Sequence, residues 1–189
     1  VKLHSGKILI LVLAAVLVGG GYFYSRLIPP AWMHNFVADI ALRGTPDPNA
    51  PPPTDTRQAT PRGKADHPYI CLANLVPFAW DKVVFLSADK DPRTAEVLQG
   101  VTWPGNDLDR EAKLMAKDDR YQLIVLVKGK QVIADEPFFT FWADLSQLNQ
   151  PEGYTPETAV FTAIVKGGRY VLTPVAPPFP PACAAGPPK

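Results

Sequence analysis

The chain has 189 residues, 19 of them basic and 18 acidic, for a formal net charge of +1 that leaves no overall field to attract nucleic acid. That length suits one domain with accessory segments. Proline is frequent, at 22 residues, and it gathers in two stretches that read as linker and tail.

From Ile8 to Tyr24 the sequence ILILVLAAVLVGGGYFY is apolar and uncharged. As a helix this run spans roughly 25 Å, close to the thickness of a bilayer core, and Leu27 and Ile28 extend it if Arg26 snorkels. Lys2 and Lys7 precede it, and only Arg26 follows closely, which places the N-terminus in the cytoplasm. Residues 1–28 are therefore expected to be a cytoplasmic N-terminus and a transmembrane signal anchor, with residues 8–28 in contact with the membrane. The alternative is a cleaved signal peptide with Ile8 to Val18 as its h-region and Gly19 to Gly21 as small residues for a peptidase, although an A-x-A pattern is absent. Both readings export the rest of the chain.

Residues 29–43 place Trp32, Met33, Phe36, Val37 and Ile40 at helical spacing, after Pro29 and Pro30 and before Gly44. The pattern predicts a juxtamembrane amphipathic helix that contacts the membrane or a partner, or packs on its own domain. Residues 44–68 hold seven prolines among polar residues and no large apolar side chain, so they read as a stalk. Fully extended, such a stalk reaches about 75 Å.

Strand-like runs begin at Tyr69: Tyr69 to Ala73, Trp80 to Leu86, Tyr121 to Lys128, Gln131 to Ala134, Val160 to Lys166 and Arg169 to Thr173. The continuous LIVLV of Leu123 to Val127 suggests a central strand covered on both faces. Gly129 and the Gly167-Gly168 pair mark hairpins. Two helices are expected, one from Asp91 to Gly100 with Asp91 as cap and Pro92 at its first position, the other from Asn106 to Lys117. The whole is α+β: a single small domain at 69–174 with a mostly antiparallel sheet and two short helices, followed by a proline-rich tail at 175–189.

The stretches PFAWDKVVFL (Pro77 to Leu86), YQLIVLVKGKQVI (Tyr121 to Ile133) and YTPETAVFTAIVKGGRYVLTP (Tyr154 to Pro174) resemble small bacterial envelope domains of uncharacterised activity carried behind an N-terminal hydrophobic segment. The resemblance covers most of Tyr69 to Pro174 and implies a fold and an address but no activity.

Candidate chemistry is sparse. Cys71 and Cys183 are the two cysteines, expected to pair as a structural disulfide in an oxidising compartment. The histidines, His4, His34 and His67, all precede the domain, so neither a Ser-His-Asp arrangement nor an ordinary zinc site is expected. Asp89, Asp91, Asp107, Asp109 and Glu111 read as helix caps, and Asp135 and Glu136 as a solvated strand end. The aromatic run EPFFTFW (Glu136 to Trp142) is either core or a binding edge, its alternation burying Phe139 and Phe141 and exposing Phe138 and Trp142. Candidate partner or ligand contacts are therefore Trp32, Phe36, Phe138 and Trp142.

With no catalytic, cofactor or metal residues assigned, the sequence predicts a non-enzymatic accessory or interaction protein of the bacterial cell envelope, with an envelope protein partner and no nucleic acid. Its address is the bacterial cytoplasmic membrane, with the N-terminus inside and the domain in the periplasm or extracellular space. The alternative is an extracytoplasmic binding module for a small apolar ligand or an envelope polymer.

Overall fold

The computed structural model describes residues 30–46 and 67–183. The expected membrane anchor and most of the proline-rich segment lie outside the described residues. Among those described, no helix is long and apolar enough to cross a membrane.

The architecture is a small α+β domain with two sheets and few helices. Helix α1 (Ala31–Arg43) leads into the two-residue β1 (Thr45–Pro46); β2 (Tyr69–Cys71) runs directly into the single turn α2 (Leu72–Leu75). Then come β3 (Lys82–Leu86), α3 (Asp107–Lys117), β4 (Tyr121–Lys128), β5 (Gln131–Phe139), β6 (Val160–Lys166) and β7 (Arg169–Pro174). Strands β3, β4 and β5 form one antiparallel sheet with β4 in the centre. In the other, β6 pairs antiparallel with β7 and β2 and parallel with β1.

The sheets share one core. Val83, Phe85, Ile124, Leu126 and Phe138 from the first sheet meet Phe161, Ala163 and Leu172 from the second. The Phe85 ring sits edge-on to Tyr154 and Phe161 at 5.8 and 5.4 Å, so one aromatic trio joins the layers. The outer face of the first sheet carries Val84, Leu123, Val125 and Val127, covered by Met115 of α3 and by Leu98. This explains the uninterrupted LIVLV run: its strand is buried on both faces.

Helix α1 is part of this core, because Trp32, Met33, Phe36 and Ile40 are all buried in the cluster between the sheets. The apolar stripe that suggested a membrane-surface helix is covered by the domain itself. Gly44 ends the helix with φ −59°, so its need is space rather than a left-handed turn: a Cβ there would run into the Tyr170 ring.

The neighbours of the proline-rich segment also lie on the domain. Thr45 and Pro46 align with Ile164 and Val165 of β6. On the far side, the Arg43 guanidinium donates to the His67 carbonyl at 2.8 Å, and Tyr69 aligns with Thr162 of the same β6. The described residues on both sides of the expected stalk thus reach the same strand, while residues 47–66 lie outside the described residues.

Two local expectations change. Asp91 to Gly100 forms no α-helix; a turn at Pro92 to Thr94 precedes a 3-10 turn at Glu96–Leu98. The Asp91 carboxylate accepts from the Arg93 amide at 2.9 Å and from its guanidinium, fixing a tight turn in place of a helix cap. The tail is also more ordered than its prolines suggested: Val175 bonds Val160, and Cys183 reaches Cys71 at disulfide distance with the Cα atoms 5.3 Å apart.

Candidate functional site

Where the C-terminal ends of β3 and β5 meet the beginnings of β4 and β7, residues from both sheets line an open groove of about 620 Å³. Its walls come from four distant parts of the chain, each held by local bonding. After β3, the Ser87 hydroxyl donates to Asp89 at 2.5 Å, which lowers the Asp89 carboxyl below its ordinary range. Before β4, Asp118 accepts from the Arg120 backbone amide at 3.0 Å and from its guanidinium at 2.8 and 2.6 Å. That hydrogen bonding pulls the Asp118 carboxyl down to about 2.

The third wall follows β5. Thr140 donates its amide to the Arg120 carbonyl at 2.8 Å, and Trp142 donates to the Phe139 carbonyl at 3.0 Å. The resulting turn throws Phe141 outward, 65% exposed. Its ring is braced from behind by Phe139 and Trp142, each with centroids at 5.2 Å. Trp142 also packs on Phe138 at 5.4 Å, and Phe138 on Phe36 of α1 at 5.9 Å, so the exposed ring is the end of an aromatic stack rooted in the core.

The fourth wall joins the sheets. Buried Gln122 of β4 donates to the Ala143 carbonyl at 3.2 Å and accepts from the Leu145 amide at 2.8 Å. Asp144 then bonds through its backbone to Tyr170 and Leu172 of β7. Arg169 follows the Gly167-Gly168 turn, where both φ angles are positive. Its guanidinium lines the groove and has no partner among the described residues. A second depression of about 530 Å³, on the other side of the Ser87 to Lys90 turn, shares Asp89 with the first.

Against this geometry the sequence candidates separate. Trp32, Phe36 and Phe138 are buried core residues. Trp142 is half-buried and belongs to the groove's bracing. The expected alternation of the aromatic run is reversed, with Phe138 enclosed and Phe141 exposed. Phe138 lies on the face that α1 covers, beside Gln122 in the β4 register, whereas Phe141 lies beyond the end of the sheet. Arg120, Asp144 and Arg169 were not singled out by sequence, although Arg169 after a Gly-Gly turn was the available signal; Phe141 stood out only within the aromatic run, on the side expected to be buried.

A second charged cluster sits under α3. Arg110 contacts Asp107 at 2.5 Å, Glu111 at 2.6 Å and Asp135 at 2.9 Å. The three carboxylate side chains are only 8%, 2% and 3% exposed, while Arg110 is 44% exposed. Burial opposes the Arg110 charge, but the Glu111 hydrogen bond and the surrounding carboxylates outweigh it and raise its pKa. Asp107 and Glu111 are thus not helix caps, and Asp135 is not a solvated strand end. Together they lock α3 to β5. Among the described residues, no group of three or more His, Cys, Asp or Glu side chains is arranged to hold a metal ion.

No protein-family model, curated protein or solved structure matches this chain.

Proposed function

We propose that this chain is a membrane-anchored, extracytoplasmic interaction protein of the bacterial cell envelope, acting by binding and not by catalysis, with the groove between its sheets as the contact surface. The observation that carries the reading is the exposed Phe141 ring, held rigid by Phe139 and Trp142 beside Arg169. A ring already braced by its neighbours loses little freedom on contact with a partner. The apolar segment at Ile8 to Tyr24 and the resemblance to envelope domains support the address. A deep apolar pocket for a small ligand finds less support, because Trp80 is buried in the core and the groove is open, with charged side chains set among its apolar surface.

The test is co-purification of the full chain from gently solubilised membranes, comparing the parent with Phe141→Ala and Arg169→Glu. Both positions are exposed, so the variants should fold normally. The proposal expects a co-purifying envelope component that both variants lose. A parent that runs alone at every salt concentration refutes it.

A further inference from the structure

We infer that the groove takes an uncharged, hydroxyl-rich carbohydrate strand, which deepens the proposed function and rests on it. Three features choose this class. The first is the platform: Phe141 presents an exposed ring whose partners at 5.2 Å fix its position. The apolar C–H face of a pyranose ring is a flat surface that stacks on such an aromatic side chain while its hydroxyls remain at the edge.

The second is the balance of polar groups. Asp89, Asp119 and Asp144 supply acceptors, Arg120 and Arg169 supply donors, and Ser146 supplies a hydroxyl that does both. Three carboxylates against two guanidiniums leave the lining at a net −1, so a polyanion is repelled. Arg120 is further neutralised, with Nε and Nη2 both engaged by Asp118. A cation alone would leave the Arg169 guanidinium without a partner. A sugar hydroxyl donates and accepts, and so pairs with both kinds of group along one face.

The third is shape. The groove is open, and its neighbour continues past Asp89, offering carboxylates, Thr94 and amides such as Asn149 and Gln150. Two open depressions that share Asp89, each mixing apolar surface with polar groups, suit successive units of a chain better than one enclosed molecule. An extended peptide would pair along a strand edge, whereas the groove is lined by strand ends and turns.

The experiment titrates the full chain in detergent micelles with tetrasaccharide probes, β-1,4-linked N-acetylglucosamine and β-1,4-linked glucose, and with a sulfated glycan of similar length. Binding is followed by calorimetry and by ligand-observed NMR. The expected result is saturable binding of an uncharged tetrasaccharide, weakened at least tenfold by Phe141→Ala, retained by Phe141→Trp, and weakened by Arg169→Ala. Preference for the sulfated probe overturns the uncharged class. If no saccharide binds while the membrane co-purification still yields a Phe141-dependent protein partner, the carbohydrate inference is overturned and the proposed function stands. If neither saccharide nor partner is found, both fall.

Discussion

Arg110 is the residue whose loss should be felt most. Replacing it with Met keeps a long unbranched side chain over the same surface but leaves Asp107, Glu111 and Asp135 without their common cation. Those carboxylate side chains are at most 8% exposed, and Glu111 already has Oε2 buried without a hydrogen-bond partner among the described residues. Removing one partner of a buried ion pair costs about 3–5 kcal/mol. Because Arg110 itself is 44% exposed, solvent already screens part of its interaction, and the lower end, about 3 kcal/mol, is expected. In urea denaturation followed by circular dichroism, that loss moves the midpoint down by about 1.5 M if the slope is about 2 kcal/mol/M. Arg110→Lys should lose less, since it keeps the charge but not the forked geometry that reaches three carboxylates. Adding Glu111→Gln to Arg110→Met should recover part of the loss, because one uncompensated charge is then removed. An Arg110→Met protein within about 0.5 kcal/mol of the parent, the size of an ordinary surface substitution, would refute the lock between α3 and β5.

Tyr154 carries a buried hydroxyl with no partner among the described residues, so Tyr154→Phe should match the parent or gain up to about 1 kcal/mol at neutral pH in thermal unfolding. Burial raises that hydroxyl from 10 to about 12. Its contribution is complete below pH 10 and is lost as pH rises through 12, since the unfolded chain ionises first; Tyr154→Phe should lack this part of the alkaline decline. For the cysteine pair, a sequence separation of 112 residues predicts up to about 5 kcal/mol from cross-linking. Non-reducing mass spectrometry should show Cys71 and Cys183 peptides joined, and reductant should lower the melting temperature; two free thiols in protein freshly prepared without reductant would exclude the bridge.

The elements were legible where local chemistry decides. Gly167-Gly168 and Lys128 to Lys130 marked hairpins that formed, and the LIVLV run placed β4 in the centre of its sheet. Asp107 to Lys117 showed its dipole-matched ends before its fold. Asp91 to Gly100 misled because a good cap and a proline cannot sustain a short helix without an apolar face to bury, and Leu98 reaches the outer core from a 3-10 turn instead. The amphipathic stripe of α1 fits a bilayer surface and a protein core equally well, and only tertiary packing chooses. The phase of β5 was hidden by a register shift between Leu126 and Val127, opposite Ile133, which flips every later side chain. The groove was least legible: Ser87, Arg120, Phe141 and Arg169 stand far apart in sequence and become neighbours only when two sheets are stacked.

Helix α1 and β1 sit in the same core and on the same strand as β2, so the chain before residue 47 and the chain after residue 66 hold each other without help from the residues between them. A protease cleaving within residues 47–66 would leave the fragment carrying α1 seated in the domain, its Trp32, Met33, Phe36 and Ile40 forming a peg whose socket is the shared core. The two fragments would stay together without a covalent link between them, and separating them would require unfolding the domain.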